Sequence, residues 1–194
     1  MDIIDGAPLL VCATEEEARY APADLPLLIT GMGTVACAVR LTRALTQAEG
    51  EGRKPSRLVN FGTAGALKNG LNGIFEISSV YKHDFDSDIL EQITAKPCPN
   101  RMLVEVSGSF PTARLATGDR FVNDSELRTR LAGNADLVEM EGAIVAWIGR
   151  EYDIPVTLLK QVSDRADEEA PKSWAAAVDA GAMELGKALL KVVR

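Results

Sequence analysis

Residues 136–164 read DLVEMEGAIVAWIGREYDIPVTLLKQVSD, and the succession of patterns in this stretch decides the fold. Asp136 to Met140 is expected to be extended. Gly142 to Tyr152 forms an apolar helix, and Ile154 to Val162 has the length and composition of a buried strand. Strands alternating with helices in this way imply an α/β fold with a largely parallel sheet.

The same alternation extends in both directions. Leu9 to Ala13 and Leu27 to Thr30 are short apolar runs expected as strands, joined by the turn-rich segment Ala21 to Pro26. From Gly33 to about Ala48, Val35, Ala38, Val39, Leu41, Ala44 and Leu45 recur at helical spacing. Leu58 to Phe61 is expected as a strand running into a glycine-rich turn, Gly62 to Gly65. Ile74 to Tyr81 and Arg114 to Thr117 are further strand candidates. Asn123, Asp124 and Ser125 offer an N-cap for a helix to about Leu131, stopped by Gly133. Pro171 suits the first turn of a last helix carrying Trp174, Val178, Leu185, Leu189 and Val192 and ending near Arg194. No repeat or long linker divides residues 1–194, which are expected to form one domain.

Composition narrows the function classes. A formal net charge of −7 gives no electrostatic footprint for nucleic acid or an anionic membrane. Cys12, Cys37 and Cys98 form no CxxC pair and His83 is the single histidine, so neither a disulfide framework nor a metal site is expected. The start, Met1 to Asp5, is acidic where a secretion signal would be basic, and no apolar run is long enough to span a bilayer. A cytoplasmic protein is expected.

Polar clusters fall just past predicted strands, where α/β sheets bind ligands. Glu15 to Glu17 follows the first strand, Gly31-Met32-Gly33 the second, and Thr63-Ala64-Gly65 the third. Glu139-Met140-Glu141 and Ser163-Asp164 follow later ones. Together they suggest one acidic pocket open to backbone contacts. Each has a plainer reading. Glu15 to Glu17 suit the first turn of a helix, Glu139 and Glu141 suit capping at a strand-to-helix junction, and Asp164 suits an N-cap. Gly31, Gly33 and Ala36 satisfy the loose dinucleotide fingerprint, but the next strand ends in Asn60-Phe61-Gly62 without the acid that would hold a ribose. No nicotinamide cofactor is expected. The glycines still require backbone to approach something closely.

Taken in order, these clusters resemble the methylthioadenosine/S-adenosylhomocysteine nucleosidases of the nucleoside phosphorylase superfamily. The stretch from Asp136 to Ala143 is similar to their VEMEGAA helix start, and Gln161 to Asp167 to their ISDxAD segment. Ala13 to Glu17 is similar to AMEEE, Asn60 to Gly65 to NxGTAG, Gly118 to Asn123 to SGDxFIN, and Tyr81 to Asp84 to the YHD segment. The match spans residues 9 to about 175. Two departures are a brief connector from Arg19 to Leu27 and Thr14 in place of a methionine.

The resemblance implies a three-layer α/β/α domain with a central mixed, largely parallel twisted sheet. It implies hydrolysis of a purine nucleoside without a cofactor, in a homodimer. Carried over, Glu17 activates the attacking water, Glu141 binds ribose hydroxyls and Asp164 is the acid at the purine. Met140 packs on the sugar, with Glu139 beside it. Thr63, Ala64 and Gly65 line the sugar pocket, Phe121 stacks on the base, and the Val122 backbone meets the base edge. Ser163 orients Asp164. Crowding among these carboxylates is expected to push at least one pKa upward. The phosphorylases of the superfamily resemble one another in a GDPxR loop and an arginine before the glycine segment. This chain has Glu15 to Glu17 and Asn60-Phe61 there, so hydrolysis is favoured over phosphorolysis. A futalosine hydrolase and a silent nucleoside-binding protein are the remaining alternatives.

Overall fold

The computed structural model describes residues 2–193. Its elements follow in the order β1 (Pro8–Cys12), α1 (Glu15–Ala18), β2 (Leu27–Ile29), α2 (Thr34–Gly50), β3 (Arg57–Ala66) and β4 (Ile74–Lys82). Then come α3 (Ser87–Thr94), β5 (Arg101–Leu103), β6 (Thr112–Thr117), α4 (Ser125–Ala132), β7 (Leu137–Glu139), α5 (Gly142–Glu151), β8 (Val156–Asp164) and α6 (Ala170–Val192). Arg194, where the last helix was expected to end, lies outside the described residues.

The α/β class and the mixed sheet stand, but the sheet is not a simple open layer. β2, β1, β3 and β8 run parallel to their neighbours, as do β4, β6 and β7. The two groups meet in antiparallel seams, β3 with β7 and β4 with β8. As a result β3, β7, β6, β4 and β8 close into a ring, with β1 and β2 extending from one side and β5 from the other. Register shifts opposite Ala64/Gly65, where β8 carries the extra Ser163, and at Ile77/Ser79, where β4 carries the extra Ser78, put bulges in two of the three long strands of this ring.

Strand alternation divides the apolar side chains between two faces. Leu9, Val11 and Leu58 pack with Cys37, Leu41 and Leu45 of α2 and with Ala143, Val145 and Ala146 of α5. Leu10, Cys12, Val59, Phe61 and Leu159 meet Leu185, Leu189 and Val192 of α6 on the opposite face. Each fully buried leucine or phenylalanine contributes on the order of 1.5–3 kcal/mol, so these faces anchor the strand ends that carry the polar clusters.

Gly62 to Gly65 is not a turn. β3 continues through it, pairing with β8 and β7. Its glycines serve close packing: a Cβ at Gly62 would lie 2.9 Å from Glu17 Oε1, and one at Gly65 would lie 2.8 Å from Asp164 Oδ1. The segment 87–103, which carries no clear pattern, holds α3 and β5. α3 buries none of its residues, so it has no core face to imprint a strong signal.

Candidate active site

The polar clusters converge on one cavity of about 320 Å³ at the carboxyl ends of β1, β3, β7 and β8. All eleven of the expected site residues line it: Glu17, Thr63, Ala64, Gly65, Phe121, Val122, Glu139, Met140, Glu141, Ser163 and Asp164. Tyr81 to Asp84 does not. Asp84 instead accepts the N–H of Asp119 at 2.9 Å and steadies the loop before Phe121.

Glu17 enters from α1. Thr14 caps this helix with its hydroxyl, accepting the Glu17 N–H at 3.3 Å. The Glu17 carboxylate is thereby turned inward: its Oε1 accepts the Thr63 N–H at 2.7 Å and the Thr63 hydroxyl at 2.8 Å. Oε2 is buried and has no protein partner. A free carboxylate oxygen facing a cavity is the geometry a proton acceptor needs.

Glu139 and Glu141 separate at the β7–α5 junction. Glu139 caps α5, accepting the N–H groups of Glu141 and Gly142 at 3.0 and 2.8 Å and the Thr117 hydroxyl. It also pairs with Lys160 at 2.9 Å. With its oxygens taken by protein donors, Glu139 lines the cavity as expected and holds the backbone N–H of Glu141 in place. Glu141 reaches across to α2 and accepts the Gly33 N–H at 2.6 Å. Burial pushes its carboxyl up to about 8, reinforced by the neighbouring Glu139 and opposed by Lys160 and the Gly33 N–H.

The glycine motif before α2 finds its explanation here. Gly33 adopts φ +95°, a conformation that favours glycine, and aims its N–H at Glu141. The next residue, Thr34, gives its N–H and hydroxyl to Asp119. The amino end of α2 is thus occupied by two protein carboxylates, not by a dinucleotide phosphate.

Asp164 ends β8. Its Oδ1 accepts the Ala166 N–H at 2.8 Å, and the Ser163 hydroxyl donates to Oδ2 at 2.8 Å. Burial raises its pKa from its ordinary value, against the pull of those two hydrogen bonds. Phe121 sits at the rim with 42% of its surface exposed, which excludes a core role, while Val122 beside it packs against Leu127 and Leu131.

The sequence reading missed Arg120, Val138, Pro171 and Trp174, while Met32 comes from the Gly31-Met32-Gly33 cluster expected at the pocket. Met32 lines the mouth. Arg120 and Pro171 flank the opening, and Trp174 adds an indole wall that donates to the Thr63 hydroxyl at 2.9 Å. Trp174 was legible only as part of an apolar helix face. Among the described residues no group of three or more histidine, cysteine or acidic side chains could hold a metal, and no helix is long and apolar enough to cross a membrane.

Over residues 24–194 the chain matches the Phosphorylase superfamily. It is 33% identical over 173 residues to a Haemophilus ducreyi 5′-methylthioadenosine/S-adenosylhomocysteine nucleosidase, covering 78% of this chain and 72% of that protein. Its backbone is similar to that of a Helicobacter pylori nucleosidase of the same name, with a TM-score of 0.81, 22% identity and 98% coverage of both chains. It is also similar to Helicobacter pylori futalosine hydrolase, with a TM-score of 0.78, 22% identity and 95% coverage of both. At that identity the two structural likenesses speak for the fold.

Proposed function

Because the chain belongs to the 5′-methylthioadenosine/S-adenosylhomocysteine nucleosidase family of the phosphorylase superfamily, we propose that it hydrolyses the N-glycosidic bond of a purine nucleoside of that type. The observation that carries the reading is the convergence of Glu17, Glu141 and Asp164 on one cavity, each held differently by its neighbours.

Breaking the ribosyl C–N bond builds positive charge on the sugar and negative charge on the departing purine. Asp164, favoured in its neutral form by burial, gives its proton to N7 and improves the leaving group. Glu141 hydrogen-bonds the ribose hydroxyls and holds the sugar in place. Water attacks C1′ and loses its proton to Glu17 Oε2, the oxygen that no protein donor occupies. Phe121 covers the base, and the Val122 backbone meets its edge. Thr63, Ala64, Gly65 and Met140 shape the sugar pocket. The logic parallels the paired carboxylates of glycoside hydrolysis. The products are free base and a ribose derivative.

The family resemblance also supports a cytoplasmic homodimer working without a cofactor. The family match over residues 24–194, with a site drawn from Ala13 to Trp174, supports treating residues 1–194 as one domain. Futalosine hydrolase shares this fold, and a second reading keeps the same chemistry on a different nucleoside.

The test is incubation with methylthioadenosine, S-adenosylhomocysteine, adenosine, inosine and futalosine, with and without phosphate, followed by product analysis. Free base released in phosphate-free buffer is expected. Strict dependence on phosphate, with ribose 1-phosphate as product, would overturn hydrolysis.

A further inference from the structure

Glu17 meets the cavity with one oxygen committed and one free. Oε1 takes two hydrogen bonds, both from Thr63, and Oε2 takes none from the protein. The Thr63 hydroxyl has one proton to give, and its direction depends on what else the oxygen bonds. Trp174 Nε1 lies 2.9 Å from that oxygen. An indole N–H only donates, so the Thr63 oxygen accepts there and its own proton is left for Glu17 Oε1 at 2.8 Å. Trp174 lies near the start of α6, a helix of 23 residues packed on the sheet through Leu185, Leu189 and Val192. The donor that sets the Thr63 hydroxyl is thus borne by a rigid element, separate from the strand that carries Thr63.

We infer that Trp174 is a positioning residue for the water-activating carboxylate: its indole N–H sets the Thr63 hydroxyl, which holds Glu17 Oε1 and leaves Oε2 free for the attacking water. Hydrogen bonds in such a chain strengthen one another, so loss of the first loosens the second. This inference rests on the hydrolytic role proposed for Glu17.

Trp174→Phe keeps the aromatic wall and removes only the N–H. Thr63→Val keeps the branched shape and removes the hydroxyl. Trp174→Phe is expected to lower kcat by roughly 3- to 10-fold, the worth of one ordinary hydrogen bond, with KM little changed. Thr63→Val loses a bond to a charged group and is expected to lower kcat by roughly 10- to 100-fold. The double variant should be no slower than Thr63→Val, because without the hydroxyl the indole N–H has nothing left to orient. An unchanged kcat in Trp174→Phe, or the same loss on adding Trp174→Phe to Thr63→Val, would overturn the relay. Product analysis of the wild type reports separately whether the reaction is hydrolysis. A second measurement needs no turnover. The indole ¹H–¹⁵N signal that vanishes in Trp174→Phe belongs to Trp174, and it should move in Thr63→Val and in Glu17→Gln. A signal indifferent to Glu17→Gln would sink the relay whatever reaction the wild type performs.

Discussion

Lys160 Nζ lies 2.9 Å from Glu139 Oε2, with both side chains cut off from solvent. Burial alone would push the ammonium pKa down, but the Glu139 and Glu141 carboxylates hold it above its ordinary value. The lysine therefore stays charged and pairs with Glu139 beneath the cavity. Because Glu139 also receives the N–H groups of Glu141 and Gly142, the pair fixes the start of α5 and, through it, the place of Glu141.

Removing one member of such a pair leaves a buried charge without its partner. Lys160→Met fills a similar volume but leaves the buried Glu139 without its cation. Loss of stability on the order of 3–5 kcal/mol is expected. Equilibrium urea unfolding at neutral pH measures it, and a loss below about 1 kcal/mol would show that Glu139 is satisfied by its N–H and hydroxyl donors alone.

Glu141 gives the protein a pH-dependent stability whose sign follows from its raised pKa. The folded state keeps the carboxyl neutral up to about pH 8, whereas the unfolded chain releases the proton near 4.5. Between those values the folded state binds more protons, so stability falls as pH rises. The contribution is whole below about 4.5 and gone above about 8. Urea midpoints measured across this window should decline for the wild type. Glu141→Gln, which cannot ionise, should flatten the decline, and parallel curves for the two proteins would refute the assignment.

Phe121 is placed to bind rather than to react. It stands at the rim, 42% exposed, so truncation leaves the core intact. Phe121→Ala should fold normally and raise KM far more than it lowers kcat, by an amount equivalent to about 1–3 kcal/mol for a stacked base. A loss confined to kcat would mean that the ring contributes to the chemical step and not to holding the base.

The acids of the site were legible because each follows an apolar run, and a polar residue at the end of a buried strand has nowhere to go but the sheet's edge. Lys160 was hidden by the same rule. It sits within an apolar strand, and its partner is 21 residues away on another strand, a distance that no local pattern bridges. Gly62 to Gly65 was misread because glycine ordinarily punctuates; here it answers the close approach of Glu17 and Asp164, which only the folded chain reveals. The ring closure was beyond reach for a related reason. Its seams, β3 with β7 and β4 with β8, join strands far apart in the sequence in registers set by tertiary packing, and the two bulges lie in the adjoining β3–β8 and β4–β6 pairs. Trp174 reads as one more apolar position on a helix until its N–H is seen to meet Thr63, 111 residues earlier.

The sharpest prediction concerns Asp164. Its two hydrogen bonds, from Ala166 N–H and the Ser163 hydroxyl, fix the carboxyl group at the end of β8. Burial favours the protonated form despite them. Asp164→Asn keeps the shape and still donates a hydrogen bond to a purine N7, but it has no proton to transfer. Turnover of purine nucleosides should fall by about 10²–10⁴-fold, the usual worth of a general acid, while binding survives. A nitrophenyl riboside separates the roles, because its leaving group departs without protonation. Asp164→Asn should hydrolyse that substrate nearly as well as the wild type. Glu17→Gln should be slow on both substrates, since both need activated water. If Asp164→Asn is equally impaired on both, Asp164 acts on the sugar or on the fold, and protonation of the base must come from another group.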